Sequence, residues 1–245
     1  MKKLIVGNWK MNPASLRAAV ELSRKIQAFA RRRKNVSVVI CPPAPFLGSI
    51  SGISGAQDVS VEKEGAHTGE ISAEMAKSAG AAYAIIGHSE RRLRGDTNDI
   101  VNLKLKRALS AGLTPILCVG ERERDQNEHY LSVISSEVRH ALLGVPKNKV
   151  SKIIFAYEPV WAIGKGSSPL NADEAFHMGI FIRKVISDIV GDSAAKRARI
   201  LYGGSVEPKN AHEFFSVGKV DGLLVGRESL SVANFSEIIA HAAKN

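Results

Sequence analysis

Eight short runs rich in β-branched and aliphatic residues recur along this chain, and they constrain its fold more than any other feature. They are "KLIVGN" at 3–8, "SVVIC" at 37–41, "ISGAQD" at 53–58, "YAIIG" at 83–87, "TPILCV" at 114–119, "KIIFAYE" at 152–158, "RILYGG" at 199–204 and "GLLVG" at 222–226. Between them stand stretches with helical periodicity. In "SLRAAVELSRKIQAFA" at 15–30, Leu16, Ala19, Val20, Leu22 and Ile26 recur every three to four residues; others span 98–110, 127–142, 171–190 and 235–243. A strand followed by a helix is therefore the unit, which predicts an α/β fold with a parallel sheet buried on both faces. Eight such units in 245 residues match a closed eight-stranded parallel (β/α)8 barrel. An open doubly wound sheet is the competitor, but the chain has no recognisable dinucleotide glycine fingerprint. No linker or low-complexity segment divides the sequence, so one catalytic domain is expected over 1–245.

Local signals agree with this spacing. Pro13 and Ser15 mark a helix start, and "NADEAF" pairs Asn171 as N-cap with Glu174 three residues on, a reciprocal capping pattern. "SAGAAYAII" and "SAGLTPILC" each use a glycine to turn the chain from a helix into the next strand.

Aromatic residues make up only 6% of the chain, so Ile, Val, Leu and Ala must fill the core, as suits strands covered by helices. The net charge of +10 attracts anions without choosing among metabolites, nucleic acid and acidic lipid. Two basic clusters, "RRRK" at 31–34 and "RRLR" at 91–94, lack the polybasic tail or interleaved aromatics of a nucleic-acid surface. Cys41 and Cys118 lie inside apolar runs and read as buried reduced thiols of a cytoplasmic protein. No metal-ligand spacing is present. The start, "MKKLIVGNWKMN", is too short in its apolar part for a signal peptide, and no uninterrupted apolar stretch spans a bilayer, so no membrane partner is expected.

In a barrel of this kind chemistry sits at the carboxyl ends of the strands. The first run ends with Asn8 and Lys10, the fourth with His88, Ser89 and Glu90, the sixth with Glu158; the seventh and eighth end in "YGGS" and "LVGR". Singly each has a structural reading: a surface lysine, a histidine satisfying a carbonyl, a glutamate in an ion pair. Jointly, a carboxylate, an imidazole and an ammonium on one face form the set that removes a proton from carbon while a neighbouring oxygen becomes negative. The glycine turns suit backbone N–H groups approaching a phosphate.

"NWKMN", "IIGHSERR", "AYEPVWAIG", "YGGS" and "DGLLVG", with "GAQDVS", "TGEIS" and "CVGE", stand in the order and at about the spacing of the triosephosphate isomerase family, over essentially the whole chain. The resemblance implies the TIM barrel fold and the interconversion of dihydroxyacetone phosphate and D-glyceraldehyde 3-phosphate. It implies Glu158 as the base, His88 as a neutral electrophile, Lys10 as the stabilising cation and Asn8 beside it. Ser89, Glu90 and Gly204 take supporting places. Phosphate contacts fall to Gly164, Ser205, Gly226 and Arg227 through backbone N–H groups, with "PVW" the stiff start of a lid and "AIG" its tip. No cofactor or metal is implied, a homodimer is, and nucleic acid is not expected.

Three departures from the family pattern are visible. The lid reads "AIGKGSSPL", with Lys165 in the threonine position and a shorter exit through Ser167 and Ser168. After the eighth strand, Gly226 is followed by Arg227 where a second glycine is usual. In "GAHTGE", His67 replaces a customary aromatic beside Thr68, in the loop that meets the partner subunit in the family. Two other functions compete: a different phosphosugar isomerase or epimerase on the same barrel, and a basic barrel binding nucleic acid or another acidic partner through 31–34 and 91–94.

Overall fold

The computed structural model describes residues 1–162 and 170–244. Eight parallel strands close into one barrel in chain order: β1 (Lys3–Asn8), β2 (Val36–Cys41), β3 (Ile53–Ala56), β4 (Ala81–Ile86), β5 (Thr114–Val119), β6 (Ile154–Tyr157), β7 (Arg199–Tyr202) and β8 (Gly222–Val225). Closure is made by β1 and β8, in register from Leu4 opposite Gly222 to Gly7 opposite Val225. The period of two sorts the side chains. Leu4, Val6, Val39, Cys41, Ile85, Ile116, Cys118, Leu201 and Leu224 pack together in one cluster, while alternate residues such as Ile5, Ile40, Leu117, Phe155 and Leu223 belong to a second cluster shared with the helices. Both faces of each strand are thus apolar, which is why the runs read as unbroken.

The helices are α1 (Leu16–Ala30), α2 (Ala73–Ser78), α3 (Ser89–Arg92), α4 (Asn98–Ser110), α5 (His129–Leu142), α6 (Lys147–Val150), α7 (Ala172–Val190), α8 (Asp192–Arg197), α9 (Pro208–Ser216) and α10 (Val232–Lys244). Ser15 caps α1 by accepting from Ala18 N–H, and Asn171 with Glu174 closes the predicted capping box on α7. Gly80 and Gly112 turn the chain into β4 and β5 with φ of 95° and 74°, a region in which only glycine is unstrained. Periodicity over long windows did not single out α2, α6, α8 or α9, which are too short for it. For α9 the available signal was Pro208 at its first turn followed by the buried pair Phe214 and Phe215. No helix among the described residues is long and apolar enough to cross a membrane.

Candidate active site

Glu158 stands one residue beyond β6 and extends the ladder, donating its N–H to the Val119 carbonyl at 2.8 Å. Its side chain is only 2% exposed. One carboxylate oxygen accepts the Ser89 N–H at 3.1 Å, and the other lies 3.3 Å from His88 Nε2. The glycines pressed against it leave it little room: a Cβ on Gly203 would come within 2.9 Å of Glu158 Cγ. His88 reaches this position because Gly87, at φ 71°, turns the chain between β4 and α3. As N-cap of α3, the ring accepts the Glu90 N–H on Nδ1 at 3.1 Å, so in the neutral ring the proton sits on Nε2, facing Glu158.

Lys10 approaches from β1 with φ at 52°, a left-handed conformation that costs a β-carbon residue about 1 kcal/mol or more. Two side chains hold it there. Asn8 accepts the Lys10 N–H on Oδ1 at 3.1 Å, and Gln57 Nε2 donates to the Lys10 carbonyl at 2.7 Å and to the Cys41 carbonyl at 2.9 Å. The ammonium is paired with Glu90 Oε1 at 2.7 Å. Burial opposes ionisation of Glu90, but the hydrogen bond and charge of Lys10 outweigh it and hold the carboxyl below its ordinary value.

Asn8, Lys10, Gly204, Ser205, Gly226 and Arg227 together line a cavity of about 320 Å³ over the ends of β1, β7 and β8. Gly204 is closely packed, since a Cβ there would collide with the Tyr202 hydroxyl. Arg227 opens a 3-10 turn over Arg227–Leu230, its side chain is exposed, and its φ is not among the positive values of the chain. The side chain in place of a glycine therefore imposes no backbone strain. Ser205 Oγ donates to the Ala162 carbonyl at 2.7 Å, linking this rim to the segment just after Glu158. Gly164, Lys165, Ser167 and Ser168 lie outside the described residues. A larger cavity, about 590 Å³, flanks Glu121 and Glu137 and touches none of Lys10, His88 or Glu158.

Several residues that sequence reasoning assigned no role support this site. Gln57 is one; it lies in the quoted "GAQDVS". Glu121, from "CVGE", is buried and its Oε1 accepts from Trp161 Nε1 at 2.8 Å, Tyr157 Oη at 2.9 Å and Arg124 Nε at 3.1 Å, tying the Val160–Ala162 turn to β5 and β6. Behind Glu158, Cys118 is buried and hydrogen-bonded to its carboxylate; burial and then the Glu158 charge raise the thiol far above its usual range. His67 and Thr68 stand apart from the site, exposed on the loop between β3 and α2. The two basic clusters lie at opposite ends of the barrel. Arg91 and Arg92 are at the catalytic end, and both are already paired, with Asp58 at 2.7 Å and Glu137 at 3.4 Å.

Comparison with known proteins agrees with this arrangement. The family model described as triosephosphate isomerase matches residues 3–242. A triosephosphate isomerase of Prosthecochloris aestuarii is 44% identical, covering 100% of this chain and 99% of its own length. One of Chlorobium phaeobacteroides is 42% identical over 98% of this chain and 99% of the relative, and one of Dictyoglomus thermophilum is 42% identical over 97% and 98%. With the closed barrel, the strand-end trio and a full-length match, the chain belongs to the triosephosphate isomerase family.

Proposed function

We propose a division of labour for the family's reaction, the isomerisation of dihydroxyacetone phosphate and D-glyceraldehyde 3-phosphate. Glu158 removes the C1 proton of the ketose, and neutral His88 donates from Nε2 to the carbonyl oxygen as the enediolate forms. Return of the proton from Glu158 to C2, with the O1 hydroxyl proton passing to His88 Nε2 as the C1 carbonyl forms, completes the aldose and restores both groups. The supporting observation is the contact of His88 Nε2 with Glu158 at 3.3 Å, with the ring's tautomer fixed by the Glu90 N–H. Substrate entry must draw the Glu158 carboxylate off the Ser89 N–H and toward carbon. Lys10, in its strained turn, adds positive charge beside the developing oxyanion, with Asn8 fixing its backbone. Ser205, Gly226 and Arg227 supply backbone N–H groups to the phosphate across the cavity; Gly164, outside the described residues, is assigned to the same set by the family resemblance alone. All of this belongs to one catalytic domain.

Glu158→Asp tests the base assignment. It withdraws the carboxylate by one methylene, about an ångström, and is expected to lower kcat on the order of 10²-fold in a coupled assay with D-glyceraldehyde 3-phosphate. Near-parental turnover would reject Glu158 as the base.

We further infer a cytoplasmic homodimer. Burial alone pushes the Cys41 thiol up to about 12, so that thiol is inert and structural. The loop carrying His67 and Thr68 is exposed from Lys63 to Ile71 and closed at its base by Ser60 N–H to the Ile71 carbonyl at 2.8 Å and Arg107 Nε to the Val61 carbonyl at 2.7 Å. A held, projecting loop suits insertion into a second copy. Thr68→Arg places a long cation at its tip; sedimentation is expected to shift toward monomer as most activity disappears, and a fully active monomer would refute the coupling.

A further inference from the structure

Because the eight strands are parallel and closed, the segments leading into them form a ring at the end opposite the active site. Charge is distributed very unevenly around that ring. The segments entering β3, β4 and β5, at 50–52, 79–80 and 111–113, carry no charged residue. Those entering β6, β7, β8, β1 and β2, at 143–153, 191–199, 217–221, 1–3 and 31–35, are contiguous because β8 pairs with β1, and they hold thirteen lysines and arginines against two acids, Asp192 and Asp221. This arc alone exceeds the +10 of the whole chain, so the rest of the molecule is acidic on balance.

The arc's charge is not neutralised within the fold: Lys3, Arg33 and Arg199 donate to the Val220, Phe29 and Lys2 carbonyls and Arg197 to the Ser193 hydroxyl, which leaves their positive charge unanswered. Asp221 is taken by Arg183 at 2.7 Å, from α7, and Asp192 accepts from Ser187. Among the described residues no ion pair joins a carboxylate to Arg31, Arg32, Lys34, Lys147, Lys152 or Lys196, all exposed. Crowding is felt at Lys3: burial lowers its pKa most, Asp221 opposes this, and the like charges of Lys219 and Arg199 lower it further. An uncompensated arc of this kind is stabilised by an anionic partner that covers it.

Against the expectation of no membrane partner, which rests on the want of a spanning segment and does not bear on peripheral contact, we propose that the β6-to-β2 arc docks the barrel, end on, against the acidic headgroups of an anionic membrane surface. Charge complementarity supplies the attraction, at a cost that salt screens. Three apolar side chains, Met1, Leu143 and Val217, stand exposed among the cations at 89%, 57% and 48%, placed to enter the headgroup layer. A nucleic acid fits less well. Among the described residues no aromatic is fully exposed, so bases are offered no open stacking platform, and a rod-like duplex crosses a ring along one line where a plane meets the whole arc. Docking in this orientation leaves Lys10, His88 and Glu158 facing solution.

Co-sedimentation with vesicles of phosphatidylcholine plus phosphatidylserine, against phosphatidylcholine alone, tests this. Binding to the acidic vesicles only, released by raised salt and with isomerase activity retained on the vesicle, is expected. Two triple variants, Arg31→Glu with Arg32→Glu and Lys34→Glu, and Lys147→Glu with Lys149→Glu and Lys152→Glu, each should weaken binding on the order of a hundredfold. A control of equal charge change at the catalytic end, Arg17→Glu with Arg122→Glu and Lys209→Glu, should bind far more like the parent. Absence of binding, equal binding to neutral vesicles, or equal loss in the control overturns the proposal. So does salt-dependent binding to duplex RNA by a protein that ignores the vesicles, which makes the arc a nucleic-acid surface instead.

Discussion

The two ends of the barrel treat charge in opposite ways. At the carboxyl end of the strands the ions around the site are answered: Lys10 by Glu90 at 2.7 Å, Arg124 by Glu121 at 3.1 Å, Arg92 by Glu137 at 3.4 Å. There Lys104 bridges Asp58 and Asp96 at 2.7 Å each, although burial, the largest influence, drives the Asp58 carboxyl up and only Lys104 and Arg91 pull it back. At the amino end thirteen cations face two acids. Buried ions must be paired because desolvation costs several kcal/mol each, whereas exposed ones in water repel only weakly. Pairing thus marks the end where water is excluded and where a misplaced charge is expensive. An unpaired arc marks a surface whose counter-charge comes from outside.

The largest break in this comparison comes from removing the catalytic-end cation that must serve both Glu90 and the substrate. Lys10→Met keeps most of the bulk, and loss of a positioned charge beside an oxyanion is expected to cost at least about 10²–10³-fold in kcat with the fold intact by circular dichroism. Glu90 reports the same change. Its folded pKa lies below the ordinary value, so its pairing stabilises the native state above the unfolded pKa and is lost as pH falls through the folded one. In the variant burial acts unopposed by Lys10 and the Glu90 pKa should rise, read by carbon-13 NMR titration; an unchanged titration would show that the pair is not formed in solution.

Gln57→Leu is expected to act less on rate and more on the fold. It orphans the carbonyl of Lys10, now accepting at 2.7 Å, and takes from the Cys41 carbonyl one of two donors, the Trp9 N–H at 3.1 Å remaining, for a loss of about 1–3 kcal/mol in a urea melt. If Gln57 holds the strained φ of Lys10, kcat should fall roughly tenfold, with restoration by no surface change elsewhere. Lost stability with untouched kcat would make Gln57 structural only.

What could be read from the sequence followed its periodicities. The eight strands, the five long helices and the polar residues just past the strands were visible because strand and helix periods and the strand-end rule act within a few residues. Gln57 could not be assigned a role in this way. Its hydrogen-bonding partners lie 47 and 16 residues away, brought together only by the pairing of β1 with β2 and β2 with β3. Glu121 was hidden for the same reason: it meets Tyr157 and Trp161 across 36 and 40 residues through the β5–β6 register. The arc is not legible in the sequence because its cations are scattered along the chain, and only closure of β8 on β1 joins "RRRK" to Lys219, Arg199 and Lys152.

The smallest expected effect sharpens the comparison most. Lys34 is exposed, lies four residues past the end of α1 and so beyond the last turn, where the helix dipole would favour a cation. Its neighbours Arg31, Arg32 and Arg33 carry like charge. Lys34→Glu therefore exchanges weak repulsion for weak attraction, and native stability should rise by a few tenths of a kcal/mol, about 1 °C in Tm. That gain should shrink as added salt brings the Debye length down to about 3 Å at 1 M. Isomerase kcat should not change, since the barrel separates this loop from Lys10 and Glu158. Thermal melts at low and high salt beside steady-state assays decide it. A loss of stability, or a gain indifferent to salt, would mean that the Lys34 charge is answered within the fold, and the contrast between the two ends would fail.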